Sequence, residues 1–65
     1  MNTTTHQRHL LDIDGAAEHL AVSSRFMRTL VAERRVPYLK VGKFIRFDVR
    51  DLDKWLDTCR VEAEE

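Results

Sequence analysis

Apolar residues at helical spacing on both sides of a tight joint, a proline stop, and a basic alternating hairpin predict the fold class. It is mostly α with a small β-hairpin wing, a winged helix-turn-helix. The joint is Ala21-Val22-Ser23-Ser24, the stop is Pro37, and the hairpin is LKVGKFIRF, from Leu39 to Phe47. The order is helix, turn, helix, hairpin, helix.

A chain of 65 residues allows one domain and a small core. The domain is expected over residues 10–59, after a polar, disordered arm at 1–9 and before an acidic tail at 60–65. A single cysteine excludes an intrachain disulfide and fits a reducing cytoplasm. No apolar run is long enough for a membrane span or a signal peptide, so no membrane partner is expected. His6 and His9 have no further ligand at metal-site spacing, so no metal and no cofactor is expected.

Leu10 and Leu11 are the first apolar residues and read as a short strand. Asp12 is placed to cap the first helix, whose Ile13, Ala16, Ala17 and Leu20 share one face. Gly15 weakens that helix by about 1 kcal/mol relative to Ala. His19 lies off the apolar stripe. Val22 fills the angle between the helices, and Ser23 caps the second helix, expected from about Ser24 to Arg35. Met27, Leu30 and Val31 form its inner stripe, flanked by Phe26. Ser24, Arg25, Arg28 and Thr29 are left facing outward near its N-terminus.

In the hairpin, pairing Val41 with Ile45 and Leu39 with Phe47 puts all four apolar side chains on one face. That register implies a loop of Gly42, Lys43 and Phe44, or a bulge, rather than a two-residue turn. Lys40 then stands opposite Arg46 on the outer face, with Lys43 at the tip. Such like-charge pairing gains nothing structurally but suits phosphate. Asp48 caps the last helix, with Val49, Leu52, Leu56 and Cys59 on its apolar side, Trp55 beside them, and Cys59 read as a core residue. Acids near its end oppose the helix dipole, so this end should fray.

The formal net charge is zero, yet the charges are segregated. Residues 1–22 carry one base and three acids, residues 23–46 seven bases and one acid, and residues 47–65 three bases and seven acids. A positive middle suits a polyanion, although an ordinary solvated face gives the same composition. The geometry favours DNA. A helix fits the major groove with its N-terminal residues at base edges, and a basic hairpin beside it reaches phosphate or the minor groove. The candidate DNA-binding residues are therefore Ser23, Ser24, Arg25, Arg28 and Thr29 with Lys40, Lys43 and Arg46 of the wing. No catalytic triad, Cys-His pair, paired carboxylates or phosphate-cradling glycine loop is supported, so no enzymatic activity is expected.

The segment LLDIDGAAEHLAVSSRFMRTLVAERRVPYLKVGKFIRFDVRDLDKWLD resembles the excisionase-type, MerR-like winged-helix DNA-binding domain. Ala16, Ala17, Leu20, Val22, Ser23, Leu30 and Pro37 fall on that family's helix-turn-helix pattern. Gly42, Arg46, Phe47, Asp51, Leu52, Trp55 and Leu56 fall on its wing and third-helix pattern. The chain departs from it with Ala21 and Arg34 where glycine is usual, and with Asp14-Gly15 in place of a Glu pair. The resemblance implies a bacteriophage or integrative-element excisionase, a recombination directionality factor in the cytoplasm of a bacterial host. Such a factor binds attachment-site double-stranded DNA cooperatively, bends it, and directs a site-specific recombinase (integrase) toward excision. Opposite charges in the middle and C-terminal parts suggest head-to-tail self-association. Beside full MerR regulators, no long dimerisation helix or effector domain is expected, which argues against a ligand-sensing regulator. Two alternatives stand beside this reading: a small phage or element transcriptional repressor, and a protein-interaction module such as an antirepressor.

Overall fold

A computed structural model of the chain describes residues 9–63. Its elements are β1 (Leu10–Leu11), α1 (Ile13–Leu20), α2 (Ser24–Ala32), β2 (Leu39–Val41), β3 (Phe44–Asp48) and α3 (Val49–Thr58). Three helices and a three-stranded antiparallel sheet in the order β1-β3-β2 make the expected winged helix-turn-helix. Most of the expected N-terminal arm, residues 1–8, and the last two residues of the acidic tail lie outside the described residues.

Each helix begins on a capping oxygen. The Asp12 carboxylate accepts the Gly15 N–H at 2.8 Å, the Ser23 hydroxyl oxygen accepts the Phe26 N–H at 3.0 Å, and the Asp48 carboxylate accepts the Arg50 N–H at 2.9 Å. These bonds satisfy donors that the helix cannot. Ala16, Ala17 and Leu20 of α1 meet Met27 and Leu30 of α2, Phe47 of β3 and Leu52 of α3 in one core, closed by Val36 from the connector. The small side chains at 16 and 17 let the helices approach closely.

Both helix-turn-helix helices end in a Schellman motif. After α1, the Val22 N–H donates to the Ala17 carbonyl at 2.9 Å and the Ala21 N–H to the Glu18 carbonyl at 3.1 Å. After α2, the Arg35 N–H donates to the Leu30 carbonyl at 2.9 Å and the Arg34 N–H to the Val31 carbonyl at 3.0 Å. Ala21 and Arg34 therefore adopt left-handed φ angles of 60° and 55°, although neither is glycine. The second helix stops at Ala32, three residues before the Arg35 boundary expected from the sequence, because this closure unwinds the chain at Glu33 and Arg34.

The hairpin register differs from the expected one. Leu39 pairs with Arg46, Lys40 with Ile45 and Val41 with Phe44, so Gly42-Lys43 is a two-residue turn. Gly42 has φ +62° and Lys43 a negative φ, the sign pattern of a type II′ turn. Lys40 consequently shares the inner face with Ile45 and Phe47, while Leu39, Val41, Phe44 and Arg46 share the outer face. Lys40 does not oppose Arg46. The physical reason lies in burial. Only Phe47 and, in part, Ile45 reach the core from this ribbon, while Val41 and Phe44 are half exposed. No buried face holds the outer end in register, so the preferred turn geometry sets it. On its other edge β3 pairs with β1, with Leu10 opposite Asp48 and Leu11 opposite Phe47.

The apolar side of α3 also differs from expectation. Leu52 is buried and Trp55 packs against the core, but Leu56 and Cys59 are exposed. The contact runs along positions 52 and 55, and the last turn projects past the small core, so Cys59 is not a core residue.

Candidate nucleic-acid interface

Sequence order places Arg25, Arg28 and Thr29 at i, i+3 and i+4 on α2, a spacing that stacks them on one side. All three are exposed, opposite the buried Met27 and Leu30. The first turn of α2 holds no acidic residue, whereas α1 has Asp14 and α3 has Asp51 in theirs. The positive end of the α2 dipole is thus not offset by a carboxylate within its own first turn. Among the described residues, Arg25 and Arg28 form no ion pair. The Thr29 hydroxyl donates to the Arg25 carbonyl at 3.3 Å. That leaves its methyl group and oxygen lone pairs to the outer side.

The two serines of the turn have different roles. The Ser23 oxygen accepts the capping bond, so its own O–H is still a donor. The Ser24 hydroxyl donates to the Asp14 carboxylate at 2.5 Å, tying the start of α2 to the first turn of α1. Ser24 thus spends its hydrogen inside the protein, and its backbone N–H is the group left for a phosphate. Phe26, expected to flank the inner stripe, is 43% exposed and stands beside the arginines.

On the wing, Lys43 and Arg46 come together around one ring. The Lys43 ammonium lies 5.6 Å and the Arg46 guanidinium carbon 5.2 Å from the Phe44 ring centroid. Arg46 also donates to the Ile45 carbonyl at 2.7 Å, which fixes its side chain along the strand. Lys40 is exposed on the other face of the ribbon, so the structure joins two of the three wing cations and sets the third apart.

Elsewhere on the surface charges are paired in places. Arg35 and Glu33 form an exposed pair at 3.2 Å. His19 Nε2 and Asp53 Oδ1 meet at 2.8 Å and join α1 to α3. Among the described residues no group of three or more His, Cys, Asp or Glu side chains is placed to hold a metal ion, and no helix is long and apolar enough to cross a membrane.

Phe26 and Phe44 are the residues that sequence reasoning missed. Phe26 was masked by its four-residue spacing to Leu30, and Phe44 by its assignment to a loop. The only available signal for Phe44 was the preference of hairpins for a two-residue turn beginning with glycine.

Compared with known proteins, residues 10–60 match the family model of a helix-turn-helix domain. No curated protein and no solved structure matches the chain.

Proposed function

Because the chain belongs to the helix-turn-helix domain family, we propose that it is a sequence-specific, architectural DNA-binding protein that acts as an excision factor. The observation that carries the DNA reading is the outer side of α2, where Arg25, Arg28 and Thr29 are exposed together and neither arginine forms an ion pair among the described residues. In this reading α2 enters the major groove. Arg28 and Arg25 meet guanine edges or phosphates, and Thr29 meets a base edge. Ser23 and the first backbone N–H groups of α2 hold a phosphate, and Lys43 and Arg46 carry the wing onto the neighbouring strand.

The excision role rests on the resemblance of Leu11–Asp57 to excisionase-type domains and on a matching family that includes excisionase-like DNA-binding proteins. The protein performs no catalysis of its own. It shapes attachment-site DNA for a site-specific recombinase and assembles along it head to tail, the positive middle of one copy meeting the acidic α3 of the next. Exposed Asp53 and Asp57 supply the acidic side of that contact.

A gel-shift titration tests this reading. It uses fragments of the attachment region bearing one or several candidate sites, and a fragment of the adjoining promoter. The expected result is salt-sensitive binding that steepens on several sites, followed by stimulation of excision when the recombinase is added. A shift confined to the promoter, with preference for inverted half-sites, identifies a repressor instead. No shift on any DNA, with activity retained by Lys40→Ala and Arg46→Ala, identifies a protein-interaction module.

A further inference from the structure

The wing tip is apolar. Val41 and Phe44 face each other across the Gly42-Lys43 turn and are 52% and 51% exposed. Neither belongs to the core or to the side chains packed against it. A chain with so small a core has few large apolar residues to place outside it, and these two add nothing to that core. Hairpin tips are ordinarily polar, which keeps free ribbon ends from sticking to other chains.

The surroundings of Phe44 specify what this tip suits. Lys43 and Arg46 both lie within cation–π range of its ring. A flat, half-exposed apolar plate therefore stands with two positive charges beside it. A greasy protein groove would accept the ring but strand both cations. An acidic protein surface would pair with the cations but leave the ring unburied. The minor groove of duplex DNA supplies both requirements, with phosphates along two rims and stacked bases between them.

We propose that Phe44 is a wedge that enters the minor groove and opens a base step, with Val41 against the sugars and Lys43 and Arg46 on the flanking phosphates. This rests on the DNA-binding reading above and adds to it the residue that deforms the duplex. Pyrimidine–purine steps open most easily, so the wedge favours a TA or CA step at the wing position, although no side chain there reads a base edge. Specificity at that position comes from deformability.

The test uses the full chain and duplexes recovered by it from a random pool. One set carries 2-aminopurine at successive steps, and another carries a donor and acceptor dye at the two ends. The wild type is expected to raise 2-aminopurine fluorescence several-fold at one step and to bring the dyes closer. Phe44→Ala is expected to keep the thermal unfolding midpoint, lose no more than about ten-fold in affinity, and abolish both signals. Phe44→Trp is expected to restore them. Wild-type binding with no fluorescence rise at any step overturns the wedge, as does a full rise with Phe44→Ala. A Phe44→Ala defect seen only on tandem sites, with the optical signals intact, also overturns it and places the ring against a neighbouring copy. Failure of the wild type to recover any duplex overturns the DNA-binding reading itself, a result distinct from the others.

Discussion

Ser24 and Arg28 stand one helical turn apart on α2, and the structure divides their work. The Ser24 hydroxyl is committed to Asp14, so Ser24→Ala should act mainly on stability. A loss of about 1 kcal/mol is expected for one charge-assisted, partly exposed bond. Denaturant titration checks it, and DNA affinity measured well below the unfolding midpoint should be nearly unchanged. Arg28 forms no ion pair among the described residues, so Arg28→Ala should leave the fold alone. If it reads a base, it should weaken specific binding by about 1–3 kcal/mol while barely changing binding to random DNA. Equal losses on both DNAs would reduce Arg28 to a phosphate contact. These roles were only half legible in the sequence. The hydroxyl at 24 looks like a phosphate donor until the fold brings Asp14 beside it, ten residues away in the chain.

Element boundaries show where sequence reasoning works and where it stops. The helix starts at Asp12, Ser23 and Asp48 were legible because the capping side chain sits next to the donors it satisfies. The helix ends were less so. Ala21 and Arg34 occupy left-handed conformations that local preference assigns to glycine, and tertiary packing of the turn overrides that preference. Ala21→Gly should therefore stabilise the protein by about 0.5–1 kcal/mol, the strain relieved exceeding the entropy lost in the unfolded chain. Thermal unfolding checks it. Arg34→Gly should stabilise similarly, and a shallower salt dependence of DNA binding would show that Arg34 also meets phosphate. Gly42 is the converse case. At φ +62° a side chain would meet nothing within 4 Å, so Gly42→Ala should cost about 1–2 kcal/mol through backbone conformation alone. The hairpin register escaped the sequence for a related reason. Alternation identifies a face only where that face is buried, and between Tyr38 and Ile45 this ribbon lies outside the core.

Charge is a property of the whole molecule. The total of zero conceals a basic centre between acidic ends, so long-range attraction to DNA should be weak while close contact is strong. If about four to six phosphates are neutralised, log K should fall with log salt at a slope of roughly −4 to −5. A fluorescence-anisotropy series from low to moderate salt checks it, and a slope near zero would exclude a phosphate-based interface. If copies assemble head to tail as proposed, adding copies on tandem sites should steepen the isotherm. The general architecture was legible at this scale, since the order of elements and the charge pattern agree. The sequence did not reveal that β1 completes a three-stranded sheet by pairing with β3. That contact joins residues nearly forty positions apart, and a two-residue strand has no period to detect.

The Ser23 cap at one end and the left-handed closure at Arg34 at the other hold α2 to the nine residues Ser24–Ala32, a rod of about 13–14 Å at the ordinary helical rise. Laid in a groove where base pairs follow at about 3.4 Å, such a rod spans roughly four of them. A four-base-pair word recurs about once in 250 base pairs of random DNA, far too often to mark a single locus. An address built from this helix must therefore be written as several short words at fixed spacing. The spacing, as much as any one word, then carries the meaning.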